Sequence, residues 1–256
     1  MKINSIKFNF IMNLILTVSN FLFPLITFPY VSRVLLPEGT GKVAFAVSVI
    51  TYFSMLATFG VNSYGVRATA QVRDDKLQLS KVTHEILAIN FAVMCFVYML
   101  FFITLDIVPQ LSSDPKLFII TSSMILFSII GVEWLYKGLE QYRYITVRTI
   151  IFRLIALAAT FLLVKEKSDY LVFAAITAFA TVGSGFVNFI NLRKVILLKF
   201  IGHYEFKRHL KPMFIFFLTS FAIAIYTTTD SAMLGFMTND TEVGFYNAAI
   251  RIKAIL

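Results

Sequence analysis

The length of the uncharged apolar stretches constrains this chain more than any other feature. Residues 8–32 contain no charged side chain, and similar stretches recur along the sequence. A helix needs about 20 consecutive apolar residues to cross the hydrocarbon of a bilayer, so such stretches indicate membrane spans. Only 14% of the 256 residues are charged, whereas a soluble domain usually has about 25%. The sequence therefore predicts an all-α, polytopic transmembrane helix bundle.

We expect seven spanning helices and the first part of an eighth. The first apolar stretch has 25 residues, too long for the core of a signal peptide at about 7 to 15 residues, so we expect it to be retained as a helix. The predicted spans are Phe8–Ser32, Val43–Val66, Ile86–Leu105, Leu117–Gly131, Arg148–Val164, Tyr170–Leu192, Pro212–Met237 and Val243–Leu256.

Lysine and arginine are distributed unevenly between alternate connecting segments. If the N-terminus is inside, the inner segments hold fifteen of the 23 basic residues and the outer segments hold five. Because cytoplasmic loops carry the excess of Lys and Arg in membrane proteins, we expect the N-terminus to be cytoplasmic. The net charge of +9 then reflects topology, and it does not indicate nucleic-acid binding, which would cluster the charge on a soluble module.

The longest basic segment divides the chain. Residues 193–211 alternate basic and apolar side chains, a pattern that predicts an amphipathic cytoplasmic connector lying against anionic lipids. We expect it to separate an amino-terminal lobe of six helices, residues 1–192, from the beginning of a second unit, residues 212–256.

No catalytic constellation is recognisable in the sequence. Cys95 is the single cysteine and lies within a span, so it can form neither a disulfide within the chain nor a metal cluster. The three histidines have no metal-ligand spacing. Asp74 and Asp75 resemble half of a magnesium-diphosphate motif, but basic neighbours on both sides favour a solvated loop. "GSGF" at Gly183 lies inside a span and lacks the strand-to-helix turn of a phosphate loop.

Charged residues within or at the ends of the spans are the functional candidates, because charge at membrane depth is costly and usually serves a partner or a pathway. Asp230, in "YTTTDSAMLG", is either an ion-binding carboxylate or one satisfied by nearby hydroxyls. Glu133 is either functional or an interfacial anchor. Arg33, Arg153 and Arg251 either reach a ligand or extend to the membrane surface.

Two prolines interrupt the first span in "FPLITFPYVSR". Pro24 and Pro29 each remove a main-chain hydrogen bond and favour a kink. Membrane proteins tolerate such breaks where the backbone lines a cavity or another helix covers it. We therefore expect a bent first helix, with Arg33 near its outer end, that forms a wall of a transport pathway.

Several motifs, taken in order, resemble a known family. "NFLFPLITFPYVSRVLLPEGTGKVAFAVSVITYFSMLATFGVNSYGVRATAQVRDDKLQLSK" is similar to the amino-terminal signature of Wzx-type polysaccharide flippases, whose superfamily also contains MATE-type multidrug exporters and lipid II flippases. The matching motifs are Pro-Tyr-x-x-Arg, Pro-Glu-Gly-x-Gly, Tyr-Gly-x-Arg and Arg-Asp-Asp-Lys. The later segments "EWLYKGLEQYRYITVRTII", "TTTDSAMLGF" and "EVGFYNAAIRI" also resemble the family, so the similarity runs from about Asn13 to the last residue.

The resemblance implies a MATE-like transporter of two six-helix lobes. This chain would supply one lobe, helix seven and the start of helix eight. A short internal sequence repeat, which we call the echo, agrees with that arrangement. The segment "TGKVAFA" at residues 40–46 aligns with "VGFYNAA" at residues 243–249 at an offset of 203. The alignment places Gly41 over Gly244, as expected if the two halves are parallel repeats.

The implied function is that of a flippase and not an enzyme. It would move undecaprenyl-diphosphate-linked oligosaccharides from the inner to the outer leaflet of a bacterial plasma membrane during O-antigen or capsule synthesis. A polysaccharide polymerase and a chain-length regulator would be its partners. Asp230, with Glu133 second, would couple transport to protons or sodium, and no other cofactor is expected. Because a guanidinium binds phosphate bidentately, the candidate diphosphate ligands are Arg33, Arg251, Arg67 and Arg153.

Other interpretations stay open at this point. An ion-coupled drug exporter of the same superfamily would favour acidic residues in its cavity, whereas most membrane-buried charges here are basic. A polytopic glycan polymerase or prenyltransferase would need a large outer loop or an acidic magnesium site. The chain could also be an inactive truncated fragment, or one that works only by pairing with another chain.

Overall fold

The computed structural model describes residues 5–253, and these form helices and no strand. The helices occur in the following order: α1 (Ile6–Thr58), α2 (Val61–Val72), α3 (Lys76–Ile107), α4 (Pro109–Ser112), α5 (Pro115–Ile130), α6 (Glu133–Gly138), α7 (Tyr142–Leu163), α8 (Tyr170–Val195), α9 (Lys207–Met237) and α10 (Asp240–Lys253). A 3₁₀ turn, Lys167–Asp169, precedes α8.

Helix α1 bends sharply at Leu36, which divides it into a first arm (residues 6–35) and a second arm (residues 37–58). Leu36 has φ 59° and ψ 177°, a conformation that glycine adopts far more readily than leucine. Pro37 then begins the second arm, where a helix needs no N–H donor. The Thr40 hydroxyl donates to the carbonyl oxygens of Leu36 at 3.0 Å and Pro37 at 3.1 Å and so stabilises the bend.

The two arms run side by side in opposite directions. Leu16, early in the first arm, packs in the same apolar cluster as residues just beyond the end of the second arm, including Phe59. Val31 and Val43, on either side of the bend, line the same cavity. The arms are therefore the first two predicted spans, joined by a bend of a single residue.

The predicted transmembrane bundle is confirmed. Within the described residues, six helices are long and apolar enough to cross a membrane, and the first of these contains both arms of α1. Helix α3 begins ten residues before its predicted span and α7 begins six residues before its own. A 32-residue helix is about 48 Å long, so the charged first turns of α3 extend beyond a hydrocarbon layer of about 30 Å. The chain is a multi-pass membrane protein.

The second predicted span, Val43–Val66, is wrong at its end, because α1 stops at Thr58. Gly60 follows with φ 75° and begins the turn into α2. The buried Asn90 of α3 donates from Nδ2 to the carbonyl oxygens of Ala57 at 2.8 Å and Thr58 at 3.1 Å. A side chain from another helix therefore supplies the hydrogen bonds that the last carbonyl groups of α1 lack. The apolar pattern of the sequence does not indicate this contact.

The connector between α8 and α9, residues 196–206, has no regular helix. Leu198 and Phe200 are exposed, whereas the Leu197 main-chain N–H donates to the Ser80 hydroxyl at 2.9 Å. The connector is thus fixed to the start of α3 on one side and presents apolar side chains on the other. The division of the chain into lobes at this connector stays a prediction.

A buried carboxylate joins the connector and α9 to α2 and α3. Glu85 is fully buried and accepts hydrogen bonds from the Glu205 main-chain N–H at 2.7 Å, from Arg208 Nη2 at 2.6 Å and from His209 Nε2 at 2.7 Å. The other imidazole nitrogen of His209 lies 2.7 Å from the Tyr64 hydroxyl. We call these residues the Glu85 network. It links helices distant in sequence at the end of the bundle where the chain begins.

Helices α9 and α10 repeat the layout of the two arms of α1. Adding the predicted offset of 203 to residues 6–35 gives 209–238, and α9 covers Lys207–Met237. The same offset takes Pro37, the first residue of the second arm, to Asp240, the first residue of α10. The internal echo found in seven residues therefore extends to the helix bounds.

Gly41 and Gly244, paired by that echo, lie where the second arm crosses α10. A Cβ atom on Gly41 would lie 1.6 Å from the carbonyl oxygen of Asp240, and one on Gly244 would lie 2.0 Å from that of Pro37. The contacts are reciprocal, because each glycine touches the residue four positions before the other. This pattern indicates a local twofold axis between the two segments, and only glycine allows so close an approach. We call this contact the glycine crossing.

We expect Gly41→Ala and Gly244→Ala each to lower the free energy of unfolding by about 1 to 3 kcal/mol, because the added methyl group must push the two helices apart. Unfolding of the purified protein in mixed detergent micelles measures the change. Gly39→Ala is the matched control, since its methyl group would come no closer than 3.0 Å to a neighbouring atom, the Leu35 Cβ. Equal stability of all three variants would contradict the glycine crossing.

We expect Glu85→Gln to lower the free energy of unfolding by about 2 to 3 kcal/mol, because a buried acceptor of charged hydrogen bonds is lost. The same unfolding measurement applies. Glu205→Gln is the control, since the Glu205 side chain is largely exposed and pairs only with Lys81 at 3.2 Å, a contact worth less than about 1 kcal/mol. A Glu85 variant no less stable than the Glu205 variant would argue against the network as a structural link.

Candidate functional site

A cavity of about 260 Å³, which we call the central cavity, lies among the two arms of α1, α8, α9 and α10. Phe28, Ser48, Ser231 and Arg251 contribute to its wall together with five threonines. Phe28 and Ser231 are separated by the repeat offset of 203, and so are Ser48 and Arg251. The central cavity therefore lies on the same local twofold axis as the glycine crossing.

Arg251 is the cation of the central cavity. Its guanidinium lies 4.8 Å from the centre of the Phe28 ring, in a cation–π contact. No hydrogen bond or ion pair to it occurs among residues 5–253. The half-buried charge is thus held by an aromatic face, and its N–H donors remain free to bind an anion.

Arg251 also borders a second cavity, of about 350 Å³, between the first arm and α10. We call it the lateral cavity. Its wall is mainly apolar and includes Phe21 and Leu25, which are exposed on the surface of the bundle. Arg251 therefore lies between a cavity with several hydroxyl side chains on the repeat axis and a more apolar cavity at the side of the bundle. This arrangement suits a ligand with an anionic head and a hydrocarbon tail.

Arg153 reaches the same first arm from α7. Its Nη1 donates to the Ser19 hydroxyl at 2.6 Å, and its Nη2 donates to the side-chain oxygen of Asn20. Asn20 lines the lateral cavity. Because Asn20 and Phe28 are eight residues apart, they lie about 12 Å apart along the helix axis. Arg153 and Arg251 therefore place two cations along one arm, and the partners of Arg153 are neutral.

Pro24 and Pro29 line the lateral cavity, and Pro24 lies between the positions on the first arm that Arg153 and Arg251 contact. The first arm keeps helical geometry through both prolines, and the single non-helical residue of α1 is Leu36. Since proline has no N–H, the carbonyl groups of Asn20 and Leu25 lose their usual helical partners. The kink at these prolines stays a prediction, and the sharp bend at Leu36 lies in the segment between the first two predicted spans.

Asp230 connects α9 to α10 beside the central cavity. The Tyr246 hydroxyl donates to its carboxylate at 2.5 Å. The adjacent residue Ser231 lines the cavity, and the adjacent Thr229 hydroxyl lies 2.7 Å from the Tyr52 hydroxyl. Asp230 is itself exposed and has no basic partner within the described part of the chain. Within residues 5–253, its carboxylate is therefore held by the Tyr246 hydroxyl and not by an ion pair.

Unlike Asp230, Glu133 forms ion pairs. Its carboxylate pairs with Lys137 at 2.8 Å and with Arg148 at 3.4 Å, at the end of the bundle where the chain begins. Two cations already neutralise it, and it lines neither the central nor the lateral cavity.

Arg33 and Arg67 lie at opposite ends of the bundle. Both are exposed, and neither forms an ion pair among residues 5–253. Arg33 precedes the bend at Leu36, whereas Arg67 lies on α2, past the other end of the second arm. The 22 residues of that arm separate the two ends by about 33 Å. The four candidate arginines therefore do not converge on one point. Arg251 lines both cavities, and Arg153 contacts Asn20 in the wall of the lateral cavity.

Sequence reasoning missed the residues that surround Arg251. Phe28, Ser48 and Ser231 carry no charge, so the search for charged residues passed over them. The repeat offset pairs Phe28 with Ser231 and Ser48 with Arg251. Extending the repeat alignment along the sequence would therefore have found them. The acidic pair Asp74-Asp75 has a structural explanation, because Asp75 caps α3 by accepting from the main-chain N–H groups of Leu77 at 2.8 Å and Gln78 at 3.1 Å.

Known proteins resemble the chain along nearly its whole length. A protein family described as "Polysaccharide biosynthesis protein" matches residues 6–256. A protein of Escherichia coli (strain K12) named "Putative O-antigen transporter" is 30% identical over 98% of this chain and 61% of its own length. One of the same name from Shigella dysenteriae is 27% identical over 92% of this chain and 59% of its own length.

The chain thus spans about three fifths of the length of these curated relatives. No solved structure gives a significant match. The family match covers every helix described above, including both arms of α1 and the repeat formed by α9 and α10. The chain belongs to the polysaccharide biosynthesis protein family.

Proposed function

We propose that the chain acts in the movement of a lipid-linked oligosaccharide, an undecaprenyl diphosphate carrying its repeat unit, from the inner to the outer leaflet of a bacterial plasma membrane. The observation that carries this proposal is Arg251, a cation without an ion pair among residues 5–253, which lies between the hydroxyl-lined central cavity and the more apolar lateral cavity. The names of the two relatives, both O-antigen transporters, support it. The proposed role is transport and not covalent chemistry.

The physical obstacle is the diphosphate head with its sugars, which cannot cross hydrocarbon unaided. A guanidinium presents a planar set of donors that matches phosphate oxygens and stays charged, so Arg251 would bind the diphosphate. The polyprenyl tail would remain beside the lateral cavity, in contact with lipid. Arg153 would hold the same head group about 12 Å along the first arm, while Arg33 and Arg67 would meet it at the two membrane surfaces.

Transport requires the helices around the central cavity to separate. A cavity of about 260 Å³ is smaller than the usual range for small-molecule sites, about 300 to 1,000 Å³, and an oligosaccharide needs more room. The glycine crossing closes one end of the cavity, and the Glu85 network joins the helices at the opposite end of the bundle. We propose that each of these contacts opens in turn, which would expose the cavity to one leaflet at a time.

The proposed orientation in the membrane rests on the distribution of basic residues. The inner segments of the predicted topology carry most of the lysine and arginine, so the Glu85 network would face the cytoplasm and the glycine crossing would face the outer surface. Asp230 would couple transport to a proton or sodium gradient, with Glu133 a weaker candidate because it is already paired. A polysaccharide polymerase and a chain-length regulator would act after the unit has crossed.

The test is complementation of a bacterium that lacks its own flippase. The chain is expressed there, and lipid-linked repeat units are assayed in each leaflet, with a full-length relative as the positive control. We expect Arg251→Gln to reduce outer-leaflet units about tenfold or more relative to the unsubstituted chain. Losing charge-assisted hydrogen bonds weakens binding by about 1.5 to 3 kcal/mol, and about 1.4 kcal/mol corresponds to tenfold.

Lys253→Gln is the matched control, because Lys253 lies two residues further along α10 and is exposed. Repeat units that stay on the cytoplasmic face despite stable insertion of the unsubstituted chain would contradict the proposal for these 256 residues. Wild-type transport by Arg251→Gln would remove that arginine from the diphosphate site.

We expect Asp230→Asn to abolish the dependence of transport on the ion gradient while leaving the protein inserted. The amide can still accept a hydrogen bond from the Tyr246 hydroxyl, so the α9–α10 contact remains and only the charge is lost. Transport is measured with the gradient intact and after its collapse by an ionophore. If the variant still responds to the ionophore as the unsubstituted chain does, Asp230 is not the coupling residue.

A further inference from the structure

We propose that a groove on the outside of α7 and α8 binds the phosphate head group of an anionic lipid. The groove has a volume of about 740 Å³ and is open along one side. Tyr144, Arg148, Val147 and Ile151 of α7 form much of its wall, and Val187 of α8 faces them. We call it the α7 groove. It is separate from the central and lateral cavities, and the proposal does not depend on the transport function.

The buried guanidinium of Arg148 is the first observation behind this proposal. The side chain is only 5% exposed, and its Nη2 makes two long contacts, both 3.4 Å, to the Glu133 carboxylate and the Thr149 hydroxyl. Its Nε and Nη1 are buried and form no hydrogen bond to any of residues 5–253. Buried donors are normally satisfied in folded proteins, so a guanidinium lining a groove with two donors unused indicates a missing acceptor.

The charge balance around the groove identifies that acceptor as an anion. Glu133 is shared with Lys137 at 2.8 Å, and Glu140 is paired with Arg73 at 2.6 Å. Arg143, on the rim, is exposed and unpaired among the described residues. The nearby carboxylates are therefore already neutralised, and the groove carries an excess of positive charge that suits a phosphate group.

The apolar part of the groove indicates that the phosphate belongs to a lipid. Val147 and Ile151 lie one turn apart on α7, on either side of Arg148 and further along the helix than Arg143, and about half of each side chain is exposed. The cations thus lie at the end of the helix, at the depth of lipid head groups, and the apolar wall continues into the hydrocarbon. Basic pockets between transmembrane helices on the cytoplasmic side are known to bind lipid head groups. Inorganic phosphate would leave this apolar wall unused.

Tyr144 explains why the donors of Arg148 are covered. The guanidinium lies 5.7 Å from the centre of the tyrosine ring, and the tyrosine hydroxyl donates to the carbonyl oxygen of Val187 at 3.4 Å. That hydrogen bond is long and therefore weak. A rotation of the Tyr144 side chain would break it and expose Nε and Nη1 to an oxygen of the head group.

Native mass spectrometry of the full chain, stripped of lipid and then titrated, tests the proposal. The probes are undecaprenyl diphosphate, phosphatidylglycerol and, as the net-neutral comparison, phosphatidylcholine. The comparison is made in an Arg251→Gln background, so that the proposed diphosphate site does not contribute to the signal. There we expect Arg148→Gln to reduce the occupancy of the anionic lipids at least fivefold and to leave phosphatidylcholine unchanged. Lys211→Gln is the matched control, since Lys211 is an exposed cation at the same end of the bundle on α9, away from the groove.

A second variant covers the case in which Arg148→Gln fails to fold. Ile151→Trp fills the apolar part of the groove and leaves every charge in place, and we expect it also to reduce occupancy at least fivefold. If only the occupancy of undecaprenyl diphosphate falls, the proposal is supported with the lipid carrier as the ligand. If the occupancy of both anionic lipids falls, it is supported with membrane phospholipid as the ligand. Unchanged occupancy in the folded variants, or an equal loss of phosphatidylcholine, would overturn it.

Discussion

The glycine crossing is the contact on which the rest of the structure depends. Two helices can approach until their backbones touch only where neither carries a side chain, and Gly41 and Gly244 meet that condition at equivalent positions of the repeat. Their reciprocal contacts with Asp240 and Pro37 fix α10 against the second arm. Because Arg251 follows on α10, the crossing also sets the position of the arginine opposite Phe28.

The bundle is joined at its two ends by contacts of different kinds. The glycine crossing depends on shape, so it has no charge to screen or protonate. The Glu85 network depends on a buried carboxylate that accepts charged hydrogen bonds from α9, so its strength depends on ionisation and hydration. The central cavity lies between these two contacts. A motion that opens one end need not disturb the other, since different residues and different forces hold each.

The spans were predictable because the membrane requires long apolar runs, and their order and approximate bounds could be read from the sequence. The Gly41–Gly244 pairing was also predictable, from an echo of seven residues. The partner of each buried polar side chain was not. Asn90, Glu85 and Arg148 each meet residues from distant helices, and hydropathy records the chain neighbours of a residue but not its contacts across the bundle. The separation of Arg33 from Arg67 was predictable too, because the alternation of inner and outer segments places Arg33 outside and Arg67 inside.

The reciprocity of the crossing has an evolutionary consequence. A contact with twofold symmetry is what two identical copies of one half would form, and in such a homodimer every substitution at the interface occurs twice. Once both halves share one chain, the two positions of each pair mutate independently. Ser48 faces the cavity where its equivalent is Arg251, and Phe28 where its equivalent is Ser231. Fusion thus permits a single cation on a symmetric axis, where a homodimer would have had to place two like charges face to face.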